Sequence, residues 1–235
     1  MILLKHTFAD YNKNHLNMKS TSLKITLLAF LAMGVFSCKN NEPKAEQVLD
    51  EAAEASETAT SYKLDTDASV IKWEGSKPTA THHGTVKLSS GTLLGHHQGN
   101  IEAGNFTIDM TTIAVEDLEG DDRAQLEAHL KGTAEGQEGD FFNVKQYPTA
   151  KFEMTGIENN MVKGNLTIKD QTHPVQFPAK VSVTEDKLTV ESEMFELDRT
   201  KWGINFGSKS VFPNLGDKFI SDTMKIAIFL VANKA

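Results

Sequence analysis

Between residues 62 and 235 the apolar side chains fall on alternate positions, in short runs separated by turn-forming residues, and this period of two restricts the fold more than any other feature. Alternation sends successive side chains to opposite faces of an extended backbone, so each run is predicted to be a strand with one buried face. Phe106, Ile108 and Met110 share a face within residues 105–110, Phe152 and Met154 within 151–154, and Leu166 and Ile168 within 165–169. Val175, Phe177, Ala179, Val181 and Val183 continue the pattern, with Pro178 marking an edge or a bulge because proline donates nothing to a ladder. Residues 184–187 turn the chain into a strand that holds Leu188 and Val190 and ends near Leu197; Met224, Ile226, Ile228 and Leu230 form the last one. With 69–74 and 84–94 the count reaches about eight, a series that belongs to a sandwich or a barrel.

One stretch breaks the rhythm. Residues 121–131, DDRAQLEAHLK, open with acidic residues suited to a helix N-terminus, carry Leu126 and Leu130 four apart, and are followed by Gly132. They are predicted to form a single short helix between strands, lying across one barrel mouth.

The N-terminal quarter has a different texture. The only long apolar run, residues 25–36, follows Lys19 and Lys24 and precedes Ser37-Cys38. It is too short for a bilayer core, which needs about 20 residues, and has the proportions of a secretory signal. Residues 1–37 are therefore expected to be a signal peptide; Met18 is an alternative start that would leave residues 1–17 outside it. Residues 35–38, VFSC, resemble the lipobox of bacterial lipoproteins, with Phe36 bulkier than the usual occupant, and Cys38 is the expected lipidation site. Cys38 is the only cysteine in the chain, so no intramolecular disulfide is available to an exported protein, and a role for the thiol is required. Residues 38–60 have no aromatic residue and only Val48 and Leu49 as large aliphatics, too little for a core; they are expected to be a flexible acidic spacer, the alternative being a short amphipathic helix packed on the domain at 61–235. Lys39-Asn40 lacks the early Asp that typifies inner-membrane retention in some bacteria, which favours the outer membrane facing the periplasm and leaves surface exposure open.

The formal charge is −8; removing four Lys and one Asp with residues 1–37 takes 24 basic and 32 acidic residues to 20 and 31, or −11. Such a surface repels phosphate backbones and anionic headgroups, which argues against nucleic acid binding and against a polybasic membrane patch.

Catalytic signatures are missing from the sequence: there is no Gly-x-Ser-x-Gly elbow and no glycine-rich phosphate loop. With residues 84–95 read as a short hairpin, His82-His83 and His96-His97 flank it and could approach each other to hold zinc or copper. Neighbouring residues on a strand face opposite ways, so at most one His of each pair would reach a given site. The alternative is exposed loop residues, and His129 and His173 read the same way. Residues 196–206, ELDRTKWGINF, hold Arg199, one of two arginines, and Trp202, one of two tryptophans. A guanidinium beside an indole could bind an anionic headgroup at an apolar mouth; alternatively Asp198 or another carboxylate pairs with Arg199 and Trp202 plugs a barrel end.

Three strings in order, HLKGTAEGQEGDFFNVKQYPTAKFEMTGI at 129–157, GNLTIKDQTHPVQFPAKV at 164–181 and LDRTKWGINFGS at 197–208, resemble the YceI-like family of lipid or polyisoprenoid binding proteins. The matching positions are Asp140, Phe141, Phe142, Tyr147, Pro148 and Phe152, the Gly164 to Ile168 strand, and Asp198-Arg199. The resemblance implies an all-β, extended lipocalin-like eight-stranded antiparallel barrel with one inserted helix, holding a long isoprenoid or similar lipid. Eight strands enclose an interior that side chains just fill or that takes one slender ligand. The residues expected to line it are Phe106, Ile108, Met110, Phe152 and Met154, with Leu166, Ile168 and Phe177, and with Arg199 and Trp202 near an entrance. No enzyme activity, cofactor or metal is expected; the partners are the lipid and, through the anchor, a membrane. A filled barrel serving as an interaction module of the envelope is the second reading, and a histidine-based metal or enzymatic lipoprotein the third.

Overall fold

The computed structural model describes residues 48–96 and 100–235. The expected signal peptide at 1–37, Cys38 and His97 lie outside the described residues. Among the described residues ten strands make one sheet in which every strand pair is antiparallel: β1 Thr60–Leu64, β2 Val70–Lys77, β3 Ala80–His96, β4 Asn100–Val115, β5 Thr149–Glu158, β6 Met161–Ile168, β7 Gln171–Val183, β8 Lys187–Ser192, β9 Phe195–Asp198 and β10 Thr223–Lys234. Neighbours run β10-β2-β3-β4-β5-β6-β7-β8, and β8 returns to β10, so the sheet closes on itself.

Ten strands occupy eight places in this ring. β1 and β2 lie in succession between β10 and β3: β2 pairs Met224 to Phe229 and Ala80 to Val86, while β1 pairs Ala232 to Lys234 and Thr92 to Gly95. β8 and β9 likewise follow one another along β10, where alternation alone predicts one strand to Leu197. Between the pairs Glu191–Phe229 and Phe195–Ile226 this strand advances four residues and β10 only three, and the extra residue breaks it. The eight-stranded antiparallel barrel is therefore the fold, with one α-helix among the described residues.

That helix, α1 (Gly120–Lys131), ends where Gly132 takes φ 65° and donates its amide to the carbonyls of Ala128 and His129. A Cβ there would lie 2.6 Å from the Glu138 carbonyl oxygen, so glycine is required on both counts. Glu127 accepts the amide of Val115 and the guanidinium of Arg123, fastening α1 to the end of β4. Burial opposes its charge, but these donors and Lys131 outweigh burial and hold its carboxyl below the usual range. Two hairpins turn on pairs of left-handed residues, Asn159-Asn160 (φ 49° and 63°) and Lys169-Asp170 (φ 49° and 62°), the geometry that matches the twist of flanking strands.

Pro178 occupies an edge, as its chemistry requires. β7 meets β8 only from Ala179 onward, so its first half has a ladder to β6 alone. The Ala179 amide donates to Asn160 on the β6 side, so by alternation the positions of Pro174 and Pro178 face the seam toward β9, where no strand asks them for a donor. Side chains close that seam: the rings of Phe177 and Phe195 stack at 4.6 Å.

Residues 48–59 form neither helix nor strand and lie along the outer wall. The amide of Ala53 donates to Met154, Asn165 Nδ2 donates to the Asp50 carbonyl, and Ser56 is tied to Glu102 and His96. Among the described residues no helix is long and apolar enough to cross a membrane.

Candidate functional site

The inward faces of the ring enclose a cavity of about 190 Å³. Its wall is hydrocarbon and aromatic for nearly its whole length. Phe106, Ile108 and Met110 reach it from β4, Phe152 and Met154 from β5, Leu166 and Ile168 from β6, and Phe177 from β7, as their alternation predicts. Two-residue periodicity selects these positions because the barrel buries one face of every strand. The same rule, applied to other strands, finds the opposite wall: Ile71 and Trp73 of β2, Val86 of β3, and Ile226, Ile228 and Leu230 of β10 all line the cavity. Sequence reasoning missed these as lining although it had placed the β10 residues on one face.

The two walls differ in kind. Phe106, Phe152, Phe177 and Phe195 form a row of rings, with centroids 6.2, 5.9 and 4.6 Å apart in turn, across β4, β5, β7 and β9. The row crosses β6 at Gly164. A Cβ on Gly164 would lie 2.3 Å from the Phe152 ring and 2.6 Å from the Glu153 carbonyl oxygen, so only glycine leaves room for the crossing. The facing wall is mainly branched aliphatic.

The polar members of the lining, Glu74, Gly75, Arg199, Ser221 and Thr223, gather at one end, where β2 finishes and β10 begins. Leu130 of α1 and the Phe141-Phe142 pair that follows it border the cavity as well. We take this end as the mouth.

At the mouth Arg199 is 4% exposed and its donors are occupied by protein. Nε donates to Ser221 at 2.8 Å, Nη1 to Ile204 at 2.6 Å and Nη2 to Ile220 at 3.1 Å, all backbone carbonyls. The paired carboxylate is Asp222, 3.8 Å from Nη2, and not Asp198, which caps the 3-10 turn Arg199–Trp202 by accepting the Thr200 amide. Burial lowers the guanidinium pKa while Asp222 and Asp198 raise it; arginine keeps its charge in such a setting. Burial also opposes the charge on Asp222, but the hydroxyls of Ser208 and Ser210 and the Arg199 guanidinium prevail and hold its carboxyl below the usual range. Of the two readings of Arg199, this geometry fits the structural one, with Asp222 as the carboxylate: Arg199 borders the cavity, but its charge staples the 3-10 turn to the approach of β10. The expectation of Trp202 at the entrance is corrected. It is 1% exposed, lies off the cavity wall, donates Nε1 to the Leu166 carbonyl at 3.0 Å, and meets His173 edge-on at 5.3 Å.

The histidines are spread by the fold. Residues 84–95 are the middle of the single strand β3, not a hairpin, so His82 and His96 stand at opposite ends of it, on the order of 40 Å apart along an extended strand. Within it, the Ser89-Ser90-Gly91 sequence lies at a register shift against β4, a bulge. His82 Nδ1 lies 2.8 Å from Asp117, whose carboxyl, although burial opposes it, is held low by the His83 amide and the His82 ring. His96 Nε2 lies 2.8 Å from Glu102 and His129 Nε2 lies 2.7 Å from Asp140. Among the described residues no three metal-ligating side chains come together.

A closed antiparallel barrel with an apolar bore and a single polar end defines a class: barrels of the lipocalin-like kind, whose interiors accommodate slender apolar molecules. Within that class the chain belongs to the YceI-like domain family, whose model matches residues 62–232. Two solved structures share the fold. BcnA of Burkholderia cenocepacia is 21% identical with a TM-score of 0.55, the match covering 72% of this chain and 99% of that one. A polyisoprenoid binding domain from Saccharophagus degradans, implicated in plant cell wall breakdown, is 13% identical with a TM-score of 0.53, covering 75% and 99%. No curated protein matches the chain.

Proposed function

We propose that this protein binds, carries or sequesters an isoprenoid or other long-chain lipid inside its barrel, and that it does so in the cell envelope, exported by the segment at 1–37 and anchored through Cys38, in the outer membrane facing the periplasm. The observation that carries the reading is the bore itself. Its volume of about 190 Å³ corresponds to on the order of a dozen water-sized groups, and its almost wholly apolar wall suits a hydrocarbon chain rather than a polar metabolite. Each methylene moved from water into such a wall contributes about 0.8 kcal/mol, so a dozen contribute about 10 kcal/mol before ordering costs, enough for micromolar binding or tighter. Left without a guest, an apolar space of this size would cost the fold about 4–5 kcal/mol on the scale of engineered core cavities. The polyisoprenoid binding of the Saccharophagus degradans domain supports the choice of guest. No step in this activity calls for a nucleophile, a metal or a cofactor. The anchor is supported by the VFSC string and the single cysteine.

Native mass spectrometry with organic extraction, on protein purified from its own envelope without detergent, tests the reading. A stoichiometric long-chain isoprenoid is the expected result. A bare mass that stays bare after incubation with quinones and polyprenyl phosphates would overturn it in favour of an interaction module with a filled barrel.

A further inference from the structure

The chain between the Arg199–Trp202 turn and β10 exposes three large apolar side chains: Phe206 is 39%, Val211 43% and Phe212 49% exposed. It also exposes Lys209 and Lys218, with Lys201 exposed on the turn itself, against two exposed acids, Asp198 at the start of the turn and Asp217. The neighbouring carboxylates are committed elsewhere: Asp198 caps the turn, Asp222 is held by Ser210 and faces Arg199, and Asp140 is paired with His129. Residues 198–222 hold Arg199, Lys201, Lys209 and Lys218 against Asp198, Asp217 and Asp222, a net charge of +1 on a chain whose formal charge is −8. The segment is also shaped. The Phe212 amide donates to Ser208 and the Ile220 amide to Gly207, each at 2.8 Å, Lys209 Nζ sits 5.0 Å from the centre of the Phe219 ring, and Phe206 packs on His129 and Phe141 at 4.8 and 5.5 Å. It is continuous with the mouth, because Phe141, Ile220 and Ser221 border the cavity.

We propose that this rim docks on an anionic lipid bilayer, Phe206, Val211 and Phe212 entering the interface and the three lysines meeting the headgroups, so that the mouth faces the membrane that supplies the guest. The inference rests on the reading of the cavity as a lipid site. Large apolar side chains set among lysines are the composition of interfacial anchors, and a clustered exposed apolar patch on a folded domain marks an interaction site. The lysines choose the partner: phosphate headgroups complement them, whereas the rest of the acidic surface turns away from such a membrane. A long apolar guest also needs a path that does not cross water, and a rim seated in the interface provides one.

The test uses the full chain carrying Cys38→Ser and either Val211→Cys on the rim or Glu185→Cys in the turn at the opposite end of the barrel, where β10 finishes beside Lys187. Bimane attached to the introduced thiol is exposed to vesicles of phosphatidylglycerol and phosphatidylcholine bearing a nitroxide on the headgroup, and to the same vesicles without phosphatidylglycerol. Strong quenching at 211, little at 185, and dependence on phosphatidylglycerol are expected. Adding Lys209→Glu and Lys218→Glu, both at exposed positions, lowers the docked fraction about tenfold or more, and Phe212→Ser lowers it independently. Quenching at 211 no greater than at 185, or equal in the neutral vesicles, overturns the proposal. The readout is docking, whatever the bore contains, so failure here leaves the extraction experiment to judge the cavity on its own.

Discussion

Ala150→Leu separates a bore that accepts a guest from one that its own side chains fill. Ala150 is 2% exposed, pairs with Ile108 across β4 and β5, and faces the cavity as its smallest lining side chain on that strand. Leucine adds three carbons. If they enter space reserved for a guest, each gains about 0.8 kcal/mol of burial, and the ligand-free protein becomes more stable by about 2 kcal/mol. The same three carbons displace three methylenes of the guest, so its affinity falls by about 2 kcal/mol, on the order of thirty- to fiftyfold in Kd. The two effects have opposite signs, and that pairing is the signature. Urea unfolding of delipidated protein measures the first as a higher midpoint at unchanged slope. Titration with a polyprenol, followed by the fluorescence of Trp73 on the cavity wall, measures the second; Trp202 lies off the wall and serves as background. In a bore already packed to the density of an ordinary core, the added carbons would strain the structure and lower stability by about 1–3 kcal/mol. A destabilised Ala150→Leu, or one that binds polyprenol as the parent does, would refute the lining argument.

Gly164→Ala places a methyl against the Phe152 ring and the Glu153 carbonyl; it is expected to lower stability by about 1–3 kcal/mol and to weaken polyprenol binding as the ring row is pushed into the bore, measured by the same two titrations. Arg199→Met leaves the carbonyls of Ile204, Ile220 and Ser221 without their donor and the Asp222 carboxylate without its counter-ion, and should lower stability by about 3–5 kcal/mol in thermal or urea unfolding; a loss below about 1 kcal/mol would mean the staple is dispensable. Glu127 has a folded pKa below its unfolded value, so its contribution is present above the unfolded pKa of about 4.3 and is lost as pH falls through the folded one. The urea midpoint should therefore hold steady above about pH 5 and drop below about pH 4, with a shallower drop in Glu127→Gln.

How much of this could be seen in the chain before folding depends on which interaction fixes each part. Every phenylalanine expected in the lining is there, because a strand in a closed sheet has only two faces and Phe106, Phe152 and Phe177 share the parity of their buried neighbours. Parity is also why Ile226 and Ile228 were available as lining, and why the row's passage at Gly164 was not: a missing side chain has no parity, and its meaning appears only when Phe152 and Phe177 are brought to either side of it. Strand breaks are weaker signals still. The extra residue between Glu191 and Phe195 is visible only against β10, and Ser89-Ser90-Gly91 carries the same letters as a turn although β4 makes it a bulge.

The mouth was the least legible part, and charge explains why. Arg199 looks in the sequence like a group in search of an anion, since the residue beside it is Asp198 and an aromatic follows. Its actual partners are three main-chain oxygens, which no side-chain letter announces, and Asp222, more than twenty positions away. A buried guanidinium with its fork already filled has little to offer a headgroup, so recognition of charge has to come from outside the barrel. The net charge hides that too. A sum of −8 describes the molecule as seen from a distance, whereas within about a Debye length, 8–10 Å, a surface responds to the charges nearest to it, and Lys201, Lys209 and Lys218 lie on the Arg199–Trp202 turn and the stretch that follows it at the mouth. On the two proposals, apolar selection inside and basic selection at the rim belong to different residues, and substitution at either is expected to leave the other in place.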